Sequence, residues 1–209
     1  MIRSEAIPGV AFGTAADGDG RDDAAVRGAM SEAIGAPGRW ATISQVHGDV
    51  VRVASGVGHL GEADGLITTE PGLSLAVATA DCLPIVIAGA RTVAIVHAGW
   101  RGIVNGVIPE TIAVMRAMDD EPAVAAIGPH IGPCCYEVGD EVIDTLGGYR
   151  ATTRWNTQSA DLSRAAGAQL AGIETETSTL CTMDDLRFNS FRRDGTSRRQ
   201  VTVAWLPTV

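Results

Sequence analysis

Apolar positions recur along this chain in two periods. Between Ala24 and Ile34 they fall at Val26, Met30 and Ile34, one face of a helix. Asp22 or Asp23 supplies its N-cap, and Gly35 with Pro37-Gly38 ends it. Short apolar runs predict strands over Ala41 to Val46, Val50 to Ala54, Leu73 to Ala78, Pro84 to Ala88, Thr92 to His97, Val124 to Ile127 and Val201 to Leu206. Ala63-Asp64-Gly65-Leu66-Ile67-Thr68 reads as a turn entering another short strand. Gly48-Asp49 makes a hairpin or sharp bend between the first two strands, and Gly89-Ala90-Arg91 is short enough for a hairpin. A second helical pattern spans Asn105 to Met118, with Pro109 in its first turn, where a missing N–H is tolerated. Two further helices are expected over Asp140 to Leu146 and Asp161 to Ala171, the latter capped by Asp161. The segment up to Gly20 reads as a strand and a loop.

Hairpin-length connections outnumber regular strand–helix–strand alternation. The expected fold is therefore mixed α/β (α+β), a layered sandwich with a largely antiparallel mixed sheet, in one domain over residues 1–209. A doubly wound nucleotide-binding fold is disfavoured, because no Gly-x-Gly-x-x-Gly follows a first strand and the chain has no lysine for a phosphate loop.

Composition refines this picture. Aromatics make up only 4%, against 45% hydrophobic residues and 25 glycines, so the core must be built from Ala, Val, Ile and Leu between tight turns. A net charge of −9 argues against nucleic acid as the main partner. Arginines gather toward the end, at Arg187, Arg192, Arg193, Arg198 and Arg199, as either a small-anion site or a solvated edge strand. The first residues have no signal-peptide core, and Asp81 and Arg91 interrupt the most apolar stretch, Leu73 to Val96. A cytoplasmic protein with no membrane partner is expected. The four cysteines form no disulfide framework, which fits reduced thiols.

Candidate chemistry gathers where strands end. His47 follows Ile43-Ser44-Gln45-Val46, Cys82 follows the run from Leu73 to Asp81, and His97 closes Thr92-Val93-Ala94-Ile95-Val96. Two imidazoles and one thiol at three strand ends suggest a mononuclear zinc site. Three protein ligands leave the fourth position open, as in catalytic rather than structural zinc. Asp81 beside Cys82 is expected to accept a hydrogen bond from a ligand histidine. His59 reads as a loop residue, and His130 serves either a site or local structure. Cys134 and Cys135 lack Cys-x-x-Cys spacing, so no second zinc site is expected.

These motifs occur in series: Gln45-Val46-His47-Gly48, Ala63 to Thr68, Thr79-Ala80-Asp81-Cys82-Leu83-Pro84-Ile85, Val96-His97-Ala98-Gly99-Trp100-Arg101-Gly102, Ile127 to Val138 with its Cys134-Cys135-Tyr136-Glu137, and Phe188 to Gly195. Together they closely resemble the YfiH family, also called laccase-domain or polyphenol-oxidase-like proteins, from about Gly9 to Leu206. The resemblance implies a cytosolic single-domain protein with a fold like the catalytic domain of cytotoxic necrotising factor. It implies a zinc-dependent purine nucleoside phosphorylase acting on adenosine, inosine, guanosine and methylthioadenosine, with adenosine deaminase activity. It also implies zinc ligands at His47, Cys82 and His97, the three chosen on chemical grounds.

For such an enzyme, Arg101 and Arg192 are the candidates to hold phosphate through bidentate contacts. Asp81 or Glu137 is the candidate acid/base. Trp100 packs either on the nucleoside or in the core. A monomer is expected. Three rival readings remain. A copper-dependent phenol oxidase is weakened because four histidines cannot build a trinuclear cluster, although copper can occupy a thiolate–imidazole site adventitiously. The others are a metal-free cysteine hydrolase using Cys82 with His97 or His47, and a non-enzymatic metal- or partner-binding module.

Overall fold

The computed structural model describes residues 1–21 and 23–207. Strands β1 (Ile2–Arg3) and β2 (Val10–Phe12) precede helix α1 (Ala24–Ile34). Next come β3 (Trp40–Ser44), β4 (Val51–Val53), β5 (Gly58–Glu62), β6 (Gly65–Thr68), β7 (Ser74–Thr79), β8 (Leu83–Ala88) and β9 (Val93–Ala98). Helices α2 (Trp100–Asn105) and α3 (Val107–Ala117) lead into β10 (Val124–Ile127). The chain then forms α4 (Asp140–Thr145), β11 (Arg150–Thr152), β12 (Gln158–Ala160), α5 (Leu162–Gln169), β13 (Glu174–Thr177), α6 (Phe191–Asp194) and β14 (Gln200–Trp205).

The strands build two six-stranded sheets, ordered β1-β2-β14-β7-β3-β5 and β13-β10-β8-β9-β6-β4, plus the small pair β11–β12. Alternation along each strand shows why both are buried. In β7, Leu75 and Val77 enter the core between the sheets with Val86 and Ile95. Their neighbours Ala76 and Ala78 instead meet Met30 and Ile34 of α1. In β8, Ile85 and Ile87 pack with Ile103, Val107, Ile108 and Leu162 from the helices on the other side. The order of layers is helix, sheet, sheet, helices. With both faces covered, the central strands must be apolar throughout, which is why they read as continuous runs. Most pairs are antiparallel, with parallel pairing at β3–β7, β3–β5, β4–β6 and β10–β13.

Several local readings change. The runs around Gly48 do not form a hairpin: β3 pairs with β5 and β7, whereas β4 pairs with β6 in the other sheet. The bend there is a crossing between layers. His59 lies in β5 rather than a loop. The helix expected from Asn105 starts earlier and is split by Gly106 at φ +91°, leaving α2 to begin at Trp100. The final strand lies between β2 and β7 and is buried throughout, whereas the arginines ahead of it, Arg187, Arg192, Arg193, Arg198 and Arg199, are exposed or half-buried on turns, coil and α6 rather than on an edge strand. Strand β13 has the sequence Glu-Thr-Glu-Thr and carries no apolar signal. Asp23 caps α1 by accepting from the N–H groups of Ala25 and Val26, while Asp22, the other cap candidate, lies outside the described residues. Asp161 caps α5 as expected.

The predicted β8–β9 hairpin depends on a distant carboxylate. Asp120, buried, accepts from the N–H groups of Ala90, Arg91 and Thr92 at 3.0, 2.9 and 2.8 Å, and from the Thr92 hydroxyl at 2.7 Å. Burial opposes ionisation, but these donors outweigh it and lower its pKa. A depressed carboxylate pKa stabilises the fold above the unfolded value of about 3.9, and that contribution fades as pH falls through the folded value. Asp120→Ala is expected to cost about 3 kcal/mol at neutral pH, because three backbone donors lose their partner. Urea unfolding should show the deficit shrinking below about pH 4; an equal deficit in strong acid would assign the effect to shape rather than charge.

Candidate metal centre

Three segments converge where the two sheets meet. The β3 end is held by Gln45, whose amide donates to Ala78 O and accepts from Ala78 N, both at 2.8 Å. This side chain continues the β3–β7 pairing past Ser44 and delivers His47 beside β7. His47 takes a left-handed φ of +61°, unusual for a residue with a side chain. Such strain persists where its surroundings fix it. Asp64 fixes it here, accepting from the N–H groups of Val46, His47 and Gly48 at 3.2, 3.0 and 2.7 Å. Asn105 at the end of α2 adds a bond to His47 O at 3.2 Å.

Asp64 also orients the second histidine. The β6–β9 register pairs Gly65 with Val96, which sets Asp64 beside His97. Its Oδ1 lies 2.7 Å from His97 Nδ1, and both residues are buried. With Nδ1 so engaged, Nε2 is the ring nitrogen left for a metal. Cys82 arrives on the β7–β8 turn, which passes through Asp81 at φ +89°. Cys82 Sγ lies 3.8 Å from His47 Nε2, and the two imidazole rings meet edge-on with centroids 4.7 Å apart. Candidate ligand atoms of His47, Cys82 and His97 all lie within 4.8 Å of one another. Gly99 permits this closeness: a Cβ there would fall 2.8 Å from His47 Cδ2 and 3.0 Å from Cys82 Sγ.

The electrostatics suit metal capture. Burial resists ionisation of Cys82, but the His97 charge and a hydrogen bond with His47 outweigh it and lower the thiol pKa to about 6. Burial likewise opposes protonation of His97, yet the Cys82 charge and the Asp64 hydrogen bond raise its pKa to about 9. The donor set of two imidazoles and a thiolate fits zinc, and an exposed His47 leaves one side open.

That open side faces a cavity of about 570 Å³ lined by all three ligand residues together with Thr42, Ser44, His59, Thr79, Phe191 and Arg199. Thr79 carries a buried hydroxyl without a hydrogen-bond partner among the described residues. Its size falls within the range usual for small-molecule sites.

The remaining sequence candidates sit around this centre in different roles. Asp81 does not meet a histidine; Asp64 holds the place expected for it. Asp81 instead accepts from the Thr182 hydroxyl and the Arg192 N–H, each at 2.7 Å, and ties down the segments carrying them. Glu137 is exposed and accepts from Thr157 Oγ1 at 2.6 Å and Trp155 Nε1 at 2.9 Å, bonds that lower its pKa. Arg192 stacks 5.0 Å over the Tyr136 ring and donates to Glu137 O at 2.6 Å. Arg101 lies 4.3 Å over the Trp100 ring. Burial and the nearby Cys82 charge raise Tyr136 to about 12, against the opposing charges of Arg192 and Arg101. Arg192 is tied through its backbone N–H to Asp81, next to Cys82, and Arg101 follows closely on Gly99, whose backbone abuts Cys82 Sγ, yet neither arginine is among the residues lining the cavity. Arg193 is structural, donating to Thr182 O, Met183 O and Phe188 O. His130 is buried, with Nδ1 bonded to Gly128 O, and stands apart from the three-ligand cluster.

Sequence reasoning missed Asp64 as the organiser. Its signal was an acidic residue between Ala63 and Gly65 at the mouth of a fully buried strand, where an ion needs partners.

Among the described residues no helix is long and apolar enough to cross a membrane. The family model described as "Multi-copper polyphenol oxidoreductase laccase" matches residues 9–207. A protein of Mycobacterium tuberculosis (strain ATCC 25618 / H37Rv) named purine nucleoside phosphorylase is 37% identical over 204 residues, covering 90% of this chain and 82% of its own. The purine nucleoside phosphorylase YfiH of Shigella flexneri is 34% identical over 183 residues, covering 81% and 75%. Among solved structures, YlmD from Geobacillus stearothermophilus superposes with TM-score 0.79 at 30% identity, covering 98% of this chain and 88% of that one. The YfiH protein of Bacillus licheniformis gives 0.78 at 28% identity, covering 88% and 80%. With nearly its whole length matched in sequence and in fold, the chain belongs to the laccase-domain family that includes the YfiH proteins.

Proposed function

We propose that this protein is a zinc-dependent purine nucleoside phosphorylase, with adenosine deamination as a second activity of the same site. The observation that carries the reading is the opening of a three-ligand centre, ordered by buried Asp64, onto a cavity large enough for a nucleoside. The relatives named purine nucleoside phosphorylase support it.

His47, Cys82 and His97 hold the ion, and Asp64 locks the His97 tautomer and the His47 turn. When bound, zinc supplies Lewis-acid polarisation of an oxygen ligand. The cavity accepts the nucleoside, with the Thr79 hydroxyl available to it. Arg101 and Arg192 bring positive charge to the Cys82 side, where phosphate is to be held. In phosphorolysis a phosphate oxygen bonds to ribose C1′ as the C1′–N9 bond breaks. The electron pair leaves with the purine, which takes up a proton. Asp81 positions Arg192 and Thr182, and Glu137 anchors the loop that receives the Arg192 guanidinium through its carbonyl.

The test is an anaerobic incubation with inosine and phosphate, following hypoxanthine and ribose 1-phosphate. Equimolar formation of both, dependent on phosphate and abolished by zinc chelation, is the expected result. No phosphorolysis, together with oxygen-dependent oxidation of a phenol, would favour the copper oxidase.

A second reading draws on the same geometry. In metal-free protein, Cys82 near pKa 6 and His97 near 9 form a thiolate–imidazolium pair, the resting state of a cysteine hydrolase. Activity surviving chelation, with a covalent adduct on Cys82, would establish that alternative.

A further inference from the structure

Three more thiols meet outside the centre just described. The sulfurs of Cys134, Cys135 and Cys181 all lie within 4.8 Å of one another, with Cys134 and Cys135 Sγ 3.5 Å apart. Adjacency of Cys134 and Cys135 gives no metal spacing in the sequence; the fold adds the third sulfur from far along the chain. No imidazole or carboxylate joins this cluster among the described residues.

The two contributing segments are fixed by their own backbones. Cys135 N–H and Tyr136 N–H both donate to Gly132 O at 3.0 Å, shaping the turn that carries Cys134 and Cys135. Asp184 and Asp185 N–H donate to Cys181 O at 3.1 and 2.9 Å. Two bonds join the segments: His130 N–H to Leu180 O at 3.3 Å, and Thr182 N–H to His130 O at 2.9 Å. The sulfurs are therefore gathered before any ligand arrives, which removes much of the ordering cost of binding.

Gly132 adds two features. A Cβ at that position would lie 3.3 Å from Cys134 Sγ and 3.5 Å from Cys181 Cβ, so a side chain there would press the Cys134 sulfur by a few tenths of an ångström. Its N–H donates to Cys181 Sγ at 3.2 Å, a bond that strengthens when the sulfur carries negative charge. Cys135 and Cys181 are buried and Cys134 half-buried, which leaves one side for entry. Arg154 donates its backbone N–H to Cys134 O at 3.0 Å while its guanidinium pairs with Asp184, and burial keeps the Cys134 and Cys135 thiols protonated until an ion displaces their protons.

We propose that Cys134, Cys135 and Cys181 form a second metal site, selective for a soft monovalent ion of the copper(I) class. The ligand chemistry makes the choice. Three thiolates without a harder donor complete the coordination of copper(I), whereas zinc here would need a water as its fourth ligand beside largely buried sulfurs. With metal–sulfur bonds of about 2.3 Å, a trigonal site needs sulfurs about 4 Å apart, within the spacing present. Loading breaks three S–H bonds, forms three metal–sulfur bonds and releases three protons to solvent. No electron transfer is required when the ion is supplied as copper(I).

Full-length protein as purified, titrated anaerobically with copper(I) against a chromogenic chelator, is expected to take up one equivalent while keeping the ion at His47–Cys82–His97. Sulfur-to-copper charge-transfer absorption should appear in step. Cys134→Ser changes a half-buried position and is expected to weaken uptake at least about 100-fold, with circular dichroism confirming the fold. Cys181→Ser should behave alike. Cys82→Ala should retain copper(I) uptake, which separates this site from the main centre. Undiminished binding in folded Cys134→Ser, or its loss in Cys82→Ala, would overturn the proposal. Displacement of the bound copper by equimolar zinc would overturn the ion class.

Discussion

Cys82→Ala is expected to abolish stoichiometric metal binding and to lower kcat/KM for inosine phosphorolysis by about 10³-fold or more, equivalent to about 4 kcal/mol of transition-state stabilisation. Removing the sulfur leaves only the two imidazoles of His47 and His97, which meet edge-on, with His47 on an exposed turn. Two imidazoles seldom retain zinc against a competing chelator, and the charge that neutralises the ion departs with the thiolate. Metal content by mass spectrometry and phosphorolysis rates check this together. Full zinc occupancy and unimpaired rates in the variant would eliminate Cys82 as a ligand. The wild-type site also carries a pH signature. Metal binding needs a thiolate and a neutral imidazole. With Cys82 near 6 and His97 near 9 in the metal-free protein, uptake between those values displaces one proton, from His97. Below about pH 6 it displaces two, so zinc affinity should fall more steeply there. Proton release measured in unbuffered solution follows the count directly.

Asp64→Asn is expected to weaken zinc binding about 10- to 100-fold and to reduce stability by about 3 kcal/mol. One buried carboxylate serves four donors: three consecutive backbone N–H groups and the His97 imidazole. An amide of the same size retains one oxygen and turns its NH2 toward groups that also donate. The His47 turn then loses what holds its left-handed backbone, and His97 loses what fixes its tautomer. Competition with a zinc indicator and thermal unfolding read the two effects separately. Asp81→Asn is the control, because Asp81 contacts the Thr182 hydroxyl and the Arg192 N–H rather than a histidine. Comparable loss of zinc affinity in both variants would return the orienting role to Asp81.

Much of the architecture can be read directly from local chemistry. The Val26–Met30–Ile34 stripe with an aspartate before it specifies α1, and Asp161 specifies the start of α5. The apolar runs of β7, β8 and β9 declare strands buried on both faces. What that reading lacked was partnership. The β3 and β4 runs look like a hairpin because they are close in sequence, yet each pairs in a different sheet, β3 with β7 and β4 with β6. Polar strands such as β13 exist only because β10 offers them an edge.

The candidate ligands divide along the same line. Residue type and position at strand ends were enough to nominate His47, Cys82 and His97, which the fold brings together, since imidazole and thiolate chemistry belongs to the side chains themselves. The choice of Asp64 over Asp81 as their organiser, and the joining of Cys181 to Cys134 and Cys135, depended on packing. Both are facts of long-range register: a hydrogen bond spanning 33 residues in one case, and the isolated bridge between His130 and Cys181 in the other. The linear chain carries the chemical identity of each group, whereas distances between groups far apart in it arise only when burial of the sheets fixes which strands lie side by side.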